Sequence, residues 1–192
     1  MQTLTFELPQ DITLRVSREE FWAIATVNRD LRLERTADGE LIVNPPTGGE
    51  SGRRNIKIGR YLDEWTDRYG GVCFDSSSGF ELPNGATRSP DASWVSRERW
   101  DTLSQEKREG FVPLCPDVVV ELRSKTDSLP TLQEKMREYI DSGTRLGWLI
   151  DPQNQRVEIY RGETEVEVLE QPTQLSGEDV LPGFLLNLQS IL

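Results

Sequence analysis

Between Ser17 and Asn28 apolar residues fall at helical spacing, with Phe21, Ile24 and Val27 behind a Ser17/Glu20 capping box. The period then changes. In LRLERTADGELIVNP apolar and polar positions alternate on either side of Asp38-Gly39, which predicts two antiparallel strands joined by a tight turn. A Pro-Pro-Thr-Gly-Gly stretch at 45–49 breaks the chain, and Glu50 to Tyr69 predicts a longer helix with Ile56, Ile58, Leu62 and Trp65 partly on one face. The stretch GVCFDSSSGFELPNGATRSPDASWV alternates short apolar runs with turn residues, including Asn84-Gly85, and predicts two or three strands. Arg97 to Lys107 predicts a solvent-facing helix ended by Gly110.

The apolar run from Asp117 to Arg123 predicts a buried central strand, with Asp117, Val119, Glu121 and Arg123 on one face and Val118, Val120 and Leu122 on the other. Thr131 to Ser142 predicts a helix whose stripe of Leu132, Met136, Tyr139 and Ile140 packs on the sheet, with Gly143 in a C-cap position. Leu146–Ile150 and Val157–Tyr160 predict a strand pair turned at Asp151-Pro152-Gln153-Asn154, and Val166–Leu169 an edge strand. The tail, with Leu181-Pro182-Gly183-Phe184 and apolar last residues, is expected to dock on the core. One domain is expected over 1–192: a helix and hairpin over 1–46, a core over about 50–170 and a tail over 171–192.

Composition narrows the chemistry. The 192 residues are 35% hydrophobic, and no apolar stretch approaches the ~20 residues that span a bilayer. The start, MQTLTFELPQDITL, lacks the features of a secretory signal, so a cytoplasmic protein without membrane contact is expected. Cys73 and Cys115 sit far apart in apolar runs, as buried thiols do, and no disulfide framework is expected. The chain has no histidine, which removes Ser-His-Asp and Cys-His catalysis and the usual zinc sites. Carboxylates, lysine, arginine, hydroxyls or a hard metal ion held by oxygen are left. A net charge of −11 repels phosphate backbones at long range, so a nucleic-acid partner needs local support. Basic residues do cluster at Arg53, Arg54, Lys57 and Arg60, and Arg88 precedes Asp91.

Asp91 and Glu121 are acids beside or inside strongly apolar strands, where a carboxylate is costly unless paired, hydrogen-bonded or bound to a metal. Lys135 sits at the flank of its helix's apolar stripe, from where its ammonium can reach the same cleft or pair with helix acids such as Glu134 and Glu138. Two acids holding magnesium with a lysine nearby suit phosphodiester hydrolysis. Asp117 is a rival to Asp91, but lies about 13 Å from Glu121 along an extended strand, too far for one ion.

The stretches PTGGESGRRN, FDSSSGFELPNGATRSPDASWVSRERW, FVPLCPDVVVELRSKTDSLPTLQEKMREYIDSGTRLGWLIDPQNQRVEIYR and LPGFLLNL resemble the Uma2 family (DUF820) of cyanobacterial and other bacterial proteins. That family belongs to the PD-(D/E)xK, or restriction-endonuclease-like, superfamily. The resemblance implies an α/β (α+β) fold in which a mixed sheet is flanked by helices. It makes Asp91, in Ser89-Pro90-Asp91, the superfamily aspartate and Glu121 its second acid, both binding Mg2+ or Mn2+. Arg123 stands where the superfamily has lysine, a poor substitute for orienting water, and Lys135 becomes the replacement from the next helix. Glu50 resembles an additional acid beside the metal; a charge placed at a helix N-terminus explains it equally. Arg88 and Ser124 are auxiliary candidates, Ser124 also as a hydrogen-bond partner of the strand end and Asp75 as a turn cap.

The expected function is a Mg2+-dependent endonuclease acting on DNA, and the competing one a catalytically silent binding or regulatory module that keeps the fold, motivated by Arg123 and the acidic surface. A homodimer is expected, as many proteins of this fold pair to cut two strands and the exposed hairpin edge suits pairing.

Overall fold

The computed structural model describes residues 13–162 and 164–192; most of the amino-terminal stretch judged for a secretory signal lies outside them. Helix α1 (Arg18–Val27) starts at Ser17, whose hydroxyl and the Glu20 carboxylate form the reciprocal capping box. Strands β1 (Arg32–Arg35) and β2 (Leu41–Asn44) make the hairpin, with Gly39 at φ +90° in its turn. Helix α2 (Gly49–Tyr69) follows. It buries Ile58, Leu62 and Trp65, but Ile56 is 73% exposed, because its position points away from the face those three share.

The middle segment holds four strands where two or three were expected: β3 (Val72–Asp75), β4 (Phe80–Glu81), β5 (Thr87–Arg88) and β6 (Ala92–Val95). The extra strands are two residues each, too short for alternation to register, and they hinge on Gly85 at φ +89°. Arg97–Lys107 is not one helix but two, α3 (Arg97–Asp101) and α4 (Gln105–Glu109). Ser104 starts the second as its N-cap, a competition with helix continuation typical of serine, and Gly110 ends it.

Strand β7 (Val118–Leu122), helix α5 (Leu129–Asp141) and strand β8 (Leu146–Asp151) form a crossover that leaves β7 and β8 parallel. Helix α5 begins two residues before the expected start, since Pro130 is tolerated in a first turn. Strands β9 (Arg156–Tyr160) and β10 (Glu167–Glu170) complete a six-stranded mixed sheet in the order β10-β9-β8-β7-β6-β3. The smaller sheet, β2-β1-β5-β4, joins the amino-terminal hairpin to the middle segment through Arg35 opposite Thr87. The hairpin is therefore built into the body of the fold.

The two faces of the large sheet follow the parity of β7. Val118, Val120 and Leu122 pack with Ile58, Leu62 and Trp65 of α2 and with the tail, and Val119 packs with Met136 and Tyr139 of α5. The tail docks as expected and adds a hairpin, β11 (Gln174–Ser176) with β12 (Leu185–Asn187), burying Leu181, Phe184, Leu186, Leu188 and Ile191. Its turn is close-packed at Gly177, where a Cβ would stand 2.5 Å from Leu181 Cβ and 2.6 Å from Leu181 O. Gly177→Ala is thus expected to lower stability by about 1–3 kcal/mol, the cost of overpacking. Urea unfolding measures this, and an unchanged midpoint would contradict the docking.

Candidate active site

Glu121 is the one acid of β7 on the α5 side, and the crossover lays α5 over it. Lys135 and Tyr139, one helical turn apart, then meet its carboxylate: Lys135 Nζ lies 2.9 Å from Glu121 Oε1, and the Tyr139 hydroxyl donates to the same oxygen at 3.0 Å. Asp91 arrives from β6. The antiparallel register pairs Ala92 with Val120, so Asp91 stands one step further, opposite Glu121. Its Oδ2 accepts the Leu122 backbone N–H at 2.9 Å and its Oδ1 accepts Asn55 Nδ2 of α2 at 3.0 Å.

Glu34 of β1 is a further participant that the sequence reading missed. It is buried, takes Lys135 Nζ at 3.0 Å, Arg88 Nη1 at 3.3 Å and the Ser89 backbone N–H at 3.1 Å. In the alternating pattern of LRLER it reads as a solvent-facing position; it is buried where Arg88, Ser89 and Lys135 of α5 meet it. Glu34, Asp91, Glu121 and Lys135 line a cleft of about 190 Å³ together with Pro46, Thr47 and Ser51.

Charge in this cleft is unbalanced. Glu34, Asp91, Glu121 and, just outside the cleft, Glu138 face Lys135 and Arg88, with Arg32 also on the cleft wall near Asp91. Burial pushes the Glu121 carboxyl up to about 7, partly opposed by Lys135 and reinforced by Asp91 and Glu34. Asp91 is also raised, first by burial, against the Leu122 N–H and Lys135. At Glu34 burial acts upward too, but Lys135 and Arg88 outweigh it and hold its carboxyl below the usual range. Lys135 stays charged because the pull of Glu121 and Glu34 exceeds the effect of burial.

Among the described residues no three His, Cys, Asp or Glu side chains gather as a metal cage. Magnesium, however, is commonly held by one or two carboxylates with water and substrate phosphate oxygens completing its shell. Asp91 and Glu121 supply that pair. Asn55 Oδ1, beside Asp91, is a buried oxygen without a hydrogen-bond partner among the described residues, a further hard donor at the same place.

The other candidates lie elsewhere or are engaged. Glu50 is not brought into the cleft: its exposed carboxylate pairs with Arg53 at 3.0 Å and Arg54 at 3.8 Å on its own helix, which turns Ser51 and Asn55 inward instead. Arg123 bonds Asp151 Oδ2 at 2.8 Å and the Asp127 carbonyl, beyond the end of β7. Arg88 is locked between Glu34 and Glu138, with Nε 2.6 Å from the latter. Ser124 lines the cleft, and its backbone N–H binds Asp127 Oδ2. Asp117 ties down Arg99 at 3.0 Å and the Ser96 N–H at 2.8 Å. Asp75 caps its turn through the Ser77 N–H.

The family Uma2, described as "Putative restriction endonuclease", matches residues 18–189. The chain belongs to the Uma2 family. Its fold is shared with a crystal structure described as "a putative nuclease belonging to DUF820" from Anabaena variabilis ATCC 29413, at TM-score 0.70 and 20% identity, over 82% of this chain and 88% of that one. No curated protein matches it. The Uma2 chain thus carries the mixed sheet flanked by helices that the resemblance implied. Among its described helices none is long and apolar enough to cross a membrane.

A pH dependence follows from Glu121. The folded protein holds its proton up to about 7 and an unfolded carboxyl releases it near 4.5, so the folded state binds more protons in between and this group's contribution to stability falls as pH rises through that window. Glu121→Gln should flatten the slope. Denaturant unfolding in chelator between pH 5 and 8 reads it, and equal slopes for both proteins would contradict the upward shift of the Glu121 carboxyl.

Proposed function

We propose that this Uma2 protein is a Mg2+-dependent endonuclease that hydrolyses DNA phosphodiester bonds. The observation that carries the reading is the meeting of Asp91, Glu121 and Lys135 in one cleft from three different elements, with the Lys135 ammonium 2.9 Å from Glu121. Asp91 and Glu121 hold the ion, with Asn55 Oδ1 beside them; Mn2+ suits the same donors. Bound there, the metal supplies Lewis-acid polarisation of a phosphoryl oxygen and a more acidic water.

The chain's own groups do the rest. The Leu122 N–H and Asn55 fix both oxygens of Asp91, so its orientation is set before substrate arrives. Lys135, held on one side by Glu34 and on the other by Glu121, presents an ammonium that orients water and offsets the negative charge that develops on the phosphoryl oxygens. Glu34 positions it, and Arg88 in turn neutralises Glu34. Arg123, tied to Asp151, takes no part.

A second reading, the catalytically silent module, draws on one observation: the Lys135 ammonium lies 2.9 Å from the Glu121 oxygen that a metal would need. One assay separates them. Purified protein with Mg2+ or Mn2+ should cut DNA, chelator should abolish cutting, and Asp91→Ala should lower the rate by about 100-fold or more. Wild-type activity in Asp91→Ala would sink the assignment, and a wild-type protein inert with both metals on linear and circular DNA would favour the silent module.

A further inference from the structure

We propose that the groove between α2 and β3 receives an unpaired nucleobase next to the phosphodiester held at Asp91 and Glu121, so that the protein acts on single-stranded or locally unpaired DNA. This rests on the nuclease reading and extends it to the form of the substrate.

The groove measures about 560 Å³, inside the range of about 300–1,000 Å³ typical of small-ligand sites. It is continuous with the catalytic cleft: Thr47, Asn55 and Asp91 line both. A strand whose phosphate sits at Asp91 therefore has its neighbouring nucleotide at the groove's mouth. The space exists because α2 carries glycine along it. A Cβ at Gly52 or Gly59 would meet none of the described residues within 4 Å, and glycine weakens a helix interior, so these positions give up helix stability while opening the wall. Between them, four residues after Gly52 and three before Gly59, Ile56 is 73% exposed and offers an apolar surface to a flat ring.

The charge of the lining selects the part of a nucleotide that enters. Asp63 and Asp75 line the groove with Arg60, whose guanidinium is 3.6 Å from Glu64. A phosphate is repelled there. A base is neutral, and its ring and exocyclic N–H groups are donors that carboxylates accept. Asp63 uses Oδ1 for the Cys73 thiol and Asp75 uses Oδ1 for Ser77, and Oδ2 of each takes no hydrogen bond from the described residues. In a duplex the Watson–Crick edge is engaged and the base stacked, so the groove can be entered only by a base already out of the helix or extruded from it. A net charge of −11 points the same way, since a long duplex footprint on an acidic protein is electrostatically costly and a short single-stranded one less so.

The test measures binding apart from cutting. A fluorescent single-stranded 12-mer and its duplex are titrated in Ca2+ with the wild-type chain, Gly59→Leu and Gly52→Leu. Leucine is the better helix former, so both variants should fold, which circular dichroism verifies. The wild type should bind the single strand about tenfold more tightly than the duplex, and the leucines should erase most of that difference. Equal affinity for both forms, or a preference untouched by both leucines, would overturn the groove assignment. With Mg2+ the two readings part: Asp91-dependent cutting of paired and unpaired DNA at equal rates removes the groove and leaves the nuclease. A leucine-sensitive single-strand preference without Asp91-dependent cutting removes the nuclease and leaves the base site.

Discussion

Lys135 lies between two buried carboxylates, Glu34 on the small sheet and Glu121 on the large one, and each is within 3.0 Å of its ammonium. Taking one partner from such a buried set leaves an uncompensated charge, at a cost of about 3–5 kcal/mol. The contact does more than neutralise. It fastens the amino-terminal hairpin and helix α5 to the end of β7 at the point where Asp91 comes alongside, so the two sheets and the crossover helix converge on one cleft. Arg88 extends the network to Glu138 on α5, closing a ring of charges around Tyr139. Even so the carboxylates outnumber the cations that face them, and burial raises both Glu121, reinforced by Asp91 and Glu34, and Asp91. That imbalance is what a divalent ion would remove.

Much of the fold is legible in the sequence because its signals are local. The Ser17/Glu20 box, the Asp38-Gly39 and Asn84-Gly85 turns and the parity of β7 each state a conformation within a few residues, and each appears in the structure. The failures are of two kinds. Two-residue strands such as β4 and β5 carry no pattern and form through pairing with β1, with each other and, for β4, with Val112. The division of α3 from α4 turned on Ser104, where a cap outweighed continued helical spacing.

The site divides the same way. Asp91, Glu121 and Lys135 could be named because an acid in an apolar strand and a lysine on a stripe's flank are anomalies visible in one dimension. Glu34 could not, since a glutamate in an alternating hairpin is ordinary until Arg88, Ser89 and Lys135 of α5 close over it. Glu50, by contrast, stood at the right helix end but one position off: α2 turns Ser51 and Asn55 toward the cleft and leaves Glu50 to Arg53. Asn55, whose bond to Asp91 and orphaned oxygen give it a place in the site, had no signal in the chain at all.

The most direct test is the position of a bound divalent ion. A crystal grown or soaked with Mn2+ should show an anomalous peak shared by a carboxylate oxygen of Asp91 and one of Glu121, with Mg2+ at about 2.0–2.1 Å from both in the corresponding native crystal. A peak found only at other acids such as Asp63 or Asp75, or none at saturating ion with Lys135 still bridging Glu34 and Glu121, would contradict a metal-dependent centre in this cleft.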